Sequence, residues 1–298
     1  MDQAGSTEPT SSGQHVLMKD QSKIKRAIRY TTIVVNSRDR NYLNYPNSNY
    51  FRYTLRRPLT NVMTVELMNG SIPAFIYNIN TPWNVFSFQE GNLSFTVRLT
   101  PGSYRETDLC NELEKQLNQI SGKRNIYKVT LNTITRKIQI KATGGFTYKF
   151  LFYSGNFKDE IDLTNLAYLS INTPARLLGF GLTDYIGDST GTINAPLPMD
   201  VDNFLTRIYL HLESDGRNLS RMELGAGRPD CFHIFYLTPG SENYMLLNKD
   251  TDHSCFTSSP APISRMSNLE ISLRDEFNRL IDLQHREVNL VFELSHLE

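Results

Sequence analysis

The chain lacks most of what an enzyme or a membrane protein is built from. Among its 298 residues are three cysteines, Cys110, Cys231 and Cys255, an odd number at wide spacing with no CxxC pair. A disulfide framework and a zinc ribbon are therefore both excluded, and a reducing compartment fits. There is one tryptophan and no apolar run of the roughly 18 residues that a membrane-spanning helix needs. Residues 1–25 contain no apolar core segment, so no signal peptide is read there and synthesis in the cytosol is expected. The 31 Lys and Arg balance 31 Asp and Glu, which excludes a chain-wide basic field for nucleic acid. The phosphate loop GxxxxGK[ST], the dinucleotide turn GxGxxG, the zinc signature HExxH and the nucleophile elbow GxSxG are all missing. Sequons at Asn69, Asn92 and Asn218 matter only in a secretory pathway.

What the sequence has in plenty is strand-forming and turn-forming residues, including 15 Tyr and 16 Phe. Tyr30 to Val35 is β-branched and aromatic, and it stops at the polar loop 36–41. Tyr45 to Asn49 is a turn by composition. Phe51, Tyr53 and Leu55 alternate with Arg52 and Thr54 as in a strand. Val62 to Ile72 reads as the next strand, with Val62, Thr64 and Glu66 opposed to Val65 and Leu67, and Pro73 ends it. Residues 84–89 and 93–99 predict a hairpin around Glu90-Gly91-Asn92.

Ser103 and Glu106 have capping-box spacing. The stripe Leu109, Leu113, Leu117 and Ile120 then predicts an amphipathic helix over 103–120, with Glu112, Glu114, Lys115 and Gln116 toward water. Strands resume at 127–132, 135–142 and 146–153, the last two joined by Gly144-Gly145. Pro174 to Phe180 predicts a short helix closed by Gly179 or Gly181. Residues 183–203 read as a long loop. Strands at 204–213, 231–237, 269–274 and 288–294 complete about ten strands and two helices.

This pattern predicts a mainly β protein of sandwich or jelly-roll type. Residues 1–26, rich in Ser, Thr, Gln and Gly and then in Lys and Arg, read as a flexible N-terminal arm. The domain is expected over 27–298, with a small α+β insertion around 100–180.

Candidate chemistry is sparse. Cys231 and His233 share one face of a strand, and His211 and His253 lie elsewhere. The plainer reading is a buried thiol beside a packed imidazole. Arg38-Asp39-Arg40 suits an ion-pair loop better than an anion clamp. Asp200 and Asp202 are too few for a calcium loop, and Glu270, Asp275, Glu276 and Asp282 follow no ligand pattern. No catalytic, cofactor-binding or metal residue is assigned, no cofactor is expected, and the chain is read as not an enzyme.

Four runs carry a resemblance: VVNSRDRNYLNYPNSNYFRYTL at 34–55, NVMTVELMNGSIPAFIYNIN at 61–80, LTPGSYRETDLCNELEKQLN at 99–118 and ARLLGFG at 175–181. In this order they resemble the penton and minor capsid (vertex) proteins of nucleocytoplasmic large icosahedral double-stranded DNA viruses. The resemblance implies a single jelly roll, a homopentamer at the fivefold vertices, and contact with the viral major capsid protein and minor capsid proteins. It also implies a place in the virion, with assembly in the host cytoplasm, and neither nucleic acid nor a membrane span as partner. A carbohydrate- or receptor-binding β-sandwich and a hydrolase on a β scaffold are the alternatives from other classes.

Overall fold

The computed structural model describes residues 27–120, 124–158, 172–201, 207–219, 222–224, 230–237, 244–249, 257–258 and 263–297. The arm 1–26, Asp202, His253 and Cys255 lie outside the described residues.

The fold is mainly β, antiparallel throughout, with the layout of a β-sandwich carrying an α+β insertion. The strands β1 (Ile28–Asn36) and β2 (Tyr50–Pro73) open the chain. The middle contributes β3 (Val85–Glu90), β4 (Leu93–Arg98), the helix α1 (Glu106–Ile120), β5 (Ile126–Asn132), β6 (Lys137–Thr143), β7 (Tyr148–Leu151), β8 (Asp184–Ile186) and β9 (Thr192–Asn194). The last third contributes β10 (Arg207–Ser214), β11 (Arg217–Asn218), β12 (His233–Tyr236), β13 (Tyr244–Asn248), β14 (Thr257–Ser258), β15 (Ile263–Arg274) and β16 (Asn289–Leu297). Nine of these form one sheet in the order β1-β16-β2-β15-β10-β11, with β12 on β10 and β13 and β14 on β2. The middle strands pair only among themselves, as β4-β3-β7-β8 and β5-β6-β9.

Two hydrophobic clusters follow this division. One joins residues from 33–72 to residues from 208–294. The other gathers residues from Ile79 to Val201, an uninterrupted stretch of sequence.

The segment 50–73 is one strand of 24 residues, where composition predicts two with a break between them. Its burial also departs from simple alternation: Val62, Val65, Leu67 and Ile72 are all buried. The register gives the reason. Ser295 faces Thr64 while His296 faces Val62, and Val291 faces Asn69 while Phe292 faces Leu67. Met63 and Met68 are thus extra residues, and each one-residue bulge moves the inward set by one position. Between the bulge at Met68 and Ile72 the inward position is Gly70. A Cβ there would meet the Asn289 carbonyl oxygen at 2.6 Å and Leu290 at 2.9 Å, so only glycine allows β16 to approach.

The helix begins at Glu106, three residues later than the capping-box reading, with the Leu109 amide donating to the Arg105 carbonyl. The Glu106 carboxylate pairs with Arg136. Leu109, Leu113 and Leu117 are buried on one face, as the stripe predicts. Glu112 is buried too. It accepts the Thr100 amide at 2.9 Å, the Thr100 hydroxyl at 2.6 Å and the Gln116 amide at 2.8 Å. Burial pushes the Glu112 carboxyl up, but the bonds from Thr100 and Gln116 and the charge of Lys115 outweigh it and the net direction is down.

Residues 174–180 form a single turn rather than a helix, closed by Gly179 at φ 79°. A Cβ on Gly179 would sit 2.3 Å from the Leu197 carbonyl oxygen. The stretch read as a loop at 183–203 contains β8 and β9, which complete the two smaller sheets. The described residues hold sixteen strands and one α-helix, against about ten strands and two helices expected.

Candidate subunit interface

The residues with candidate chemistry are mostly taken up by the fold. Arg40 is buried. It pairs with Glu287 at 2.7 Å and donates to the carbonyls of Ser37 (2.7 Å), Tyr45 (2.9 Å) and Pro46 (3.2 Å). The loop 38–40 is therefore an internal latch between the β1–β2 connection and the segment before β16. Asp200 lies 3.7 Å from Arg176. Cys110 and Cys231 are buried free thiols, both pushed up to about 12 by burial, with nearby carboxylates adding to the effect. Neither supplies a thiolate at neutral pH. His233 is fully buried with its ring edge-on to Phe235 at 4.7 Å.

Among the described residues, hollows open at the surface in two places that bear on candidate chemistry. One of about 90 Å³ is walled by Tyr50, His211, Glu213, Glu270, Ser272 and Arg274. At roughly 30 Å³ per molecule it has room for about three waters. Burial, then the charge of Arg274, pushes His211 down to about 4, so its ring is neutral at pH 7. The other, about 380 Å³, is an open groove over β5, β6 and β9, where Gln139 donates to Asn194 and Lys137 donates to the Pro196 carbonyl.

The feature that stands out is β1. All nine of its residues pair with β16, from Ile28 opposite Leu297 to Asn36 opposite Asn289. Its other edge has no partner among the described residues. Ile33 and Val35 point into the core, while Ile28, Tyr30 and Val34 point outward with 58%, 67% and 57% of their surface exposed. Beyond polar residues of β16 and β2, the same face carries one more exposed apolar side chain. Val34 is level with Val291, and one row on, through Asn289 and Ser71, lies Leu246 of β13, 79% exposed. An edge strand that exposes Ile28, Tyr30 and Val34, with Arg29 as its one charge and without proline, is a template for another chain unless something covers it. Each such side chain gains about 1.5–3 kcal/mol on full burial. A partner covering the four would offset a substantial part of the roughly 4–15 kcal/mol that association costs.

A protein-family model, described as a family of unknown function (DUF5901), matches residues 21–159. The matched stretch starts ahead of β1 and ends beyond β7, so it enters both cores. No curated protein matches the chain. Among solved structures, the chain is similar to the selenomethionine-labelled mavirus penton protein at 12% identity and a TM-score of 0.38, over 92% of this chain and 100% of that one.

The run YTTIVV reads as a strand from its β-branched and aromatic residues, and nothing local to it says that one of its edges has no partner among the described residues.

Proposed function

We propose that this chain is a structural subunit of a viral capsid: a penton-type subunit that forms a homopentamer at the fivefold vertices and contacts the major capsid protein. The observation that carries the reading is the open apolar edge of β1. A shell subunit must present to its neighbours a rigid surface whose burial outweighs the cost of assembly, and an edge strand backed by a nine-stranded sheet is such a surface. In this reading the body is a jelly roll, the segment 79–201 is an insertion between β2 and β10, and residues 1–26 are an arm that reaches a neighbour.

The four runs that resemble vertex proteins support it through their structural roles. Run 34–55 contains the buried Arg40 latch, run 61–80 the two bulges and Gly70, run 99–118 the Thr100–Glu112 brace, and run 175–181 the Gly179 turn. These are residues that hold a shape rather than perform a reaction, as befits a shell component.

Sedimentation and electron microscopy of the full chain test the proposal. Fivefold rings, abolished by Tyr30→Asp with Val34→Asp, are the expected result. A chain that forms only dimers at every concentration, with the double variant sedimenting like the parent, overturns it.

A further inference from the structure

The free edge of β2 points to a second surface, independent of the capsid reading. Over Tyr50–Asn61 this strand pairs only with β15, and its other neighbours begin at Val62. Half of its edge is therefore unpaired among the described residues. Within this half the strand is distorted. Thr54 faces Asn268 and Leu59 faces Met266, so Leu55 to Pro58 stand opposite Ser267 alone. Asn61, just beyond, has φ 51°, a left-handed conformation that a non-glycine residue seldom adopts.

The bulge presents Arg56 and Arg57, and Arg265 follows on β15 opposite Thr60, all three exposed. None of the three has an acidic partner among the described residues. Arg52 is already paired with Glu270. Asp215, which reaches β15 at Ser267, is occupied by the Ser267 amide at 2.9 Å, the Ser267 hydroxyl at 2.5 Å and the Asn268 amide at 2.6 Å.

We propose that the free edge of β2 takes an extended acidic peptide segment of a partner protein, added as a strand along Tyr50–Thr54, with its carboxylates on Arg56 and Arg57 and with Arg265 adding its charge from across β2. The charge fixes the sign of the partner, and guanidinium forks match carboxylates in a bidentate way. The edge fixes its class. Backbone N–H and C=O groups that alternate along a strand edge complement another peptide backbone, whereas a row of phosphates, which only accepts, meets the N–H groups and leaves the C=O groups without donors. Arginines and a proline beside an edge can also serve merely to keep other strands away. That role needs charge alone and no fork, so lysine would fill it equally well.

The test uses the full chain and a fluorescent peptide of about ten residues alternating Glu with Thr, followed by anisotropy. Saturable binding is expected, at least tenfold weaker for R56E/R57E/R265E and severalfold weaker for the triple lysine variant. It should be lost when alternate Thr residues of the probe are replaced by Pro, which removes donors without changing charge. Matched thermal melts of the variants show that the fold is kept. Equal affinity for the proline-substituted probe, full affinity in the lysine variant, or tighter binding of a single-stranded oligonucleotide of equal charge overturns the proposal. Oligomeric state does not enter these readouts, so failure here and failure of the capsid reading are distinguishable.

Discussion

The two cores of this protein are built from different side chains and from different parts of the chain. The first is largely aliphatic, with Phe51, Phe232, Phe235 and Phe292 as its buried aromatics, and it brings together residues from both ends of the sequence. The second is packed around Phe86, Phe88, Tyr127, Tyr148, Phe150, Phe152 and Phe180 and comes from one continuous stretch. In the first, β1 finds β16 across nearly the whole chain. In the second, the hairpins β3–β4 and β5–β6 close over short turns. Loop closure is cheaper for the second core. Offset and edge-to-face ring pairs at 5–6 Å add specificity beyond area. The first relies on long ladders whose register is pinned by bulges. The second thus draws only on its own stretch of chain, whereas the first requires that stretch to be spanned.

Substitutions sharpen the contrast. The largest expected effect is Phe150→Ala. Phe150 lies within 5.3–5.9 Å, centroid to centroid, of Phe86, Phe88, Tyr148, Phe152 and Phe180. Removing it should cost about 3–5 kcal/mol in chemical denaturation. Hydrogen exchange should rise in β3 and β7 while β1 and β16 stay protected. Uniform loss of protection would mean that the two cores unfold as one.

Leu113→Asp, in the middle of the α1 stripe, should cost on the order of 3 kcal/mol from lost burial and a charge placed in the core, read in thermal melts. In the first core the comparable test is polar. Glu287→Ala leaves the Arg40 guanidinium buried and without its carboxylate, and about 2–3 kcal/mol of destabilisation is expected. Replacing both residues of that pair by apolar ones should cost less than the single change.

Acid should separate the cores further. The folded pKa of His211 lies at about 4, below its unfolded value, so between about 4 and 6.5 the unfolded chain binds the extra proton. Stability in the first core therefore falls as pH drops through that window. In the second core the lowered groups include Glu112 and Asp184; for Asp184 burial is outweighed by bonds from Ser154 and Tyr153. Their contribution is intact above the ordinary carboxylate range near 4 and is lost only as pH falls through the lowered values. Melts at pH 7, 5.5 and 3.5 with His211→Gln as control should show the first core weakening already between pH 7 and 5.5 and the second only toward pH 3.5. A pH response identical in parent and variant removes His211 from the account.

The smallest expected effect is Glu114→Ala. Glu114 accepts the Val129 amide at 2.9 Å and pairs with Lys128 at 3.1 Å, so the change should cost about 1 kcal/mol. A value within experimental error of zero would mean that water takes over at the Val129 amide.

Local pattern determined much of this protein: the β-rich composition, the positions of β1, β5 and β16, the hairpin at Glu90-Gly91-Asn92, and the leucine stripe of α1. These rest on periodicity and turn chemistry, which act within a few residues. Three matters were decided elsewhere. The fusion of two predicted strands into β2 depends on β15 and β16 lying along it, and the bulges at Met63 and Met68 depend on register with β16. Glu112 is buried because Thr100 comes back over the helix and satisfies it, while helical spacing alone turns it toward water. The candidate interface is the clearest case. Whether a β-branched and aromatic strand is central or at an edge depends on which distant strands pair with it, and that is a property of the assembled sheet, not of the strand.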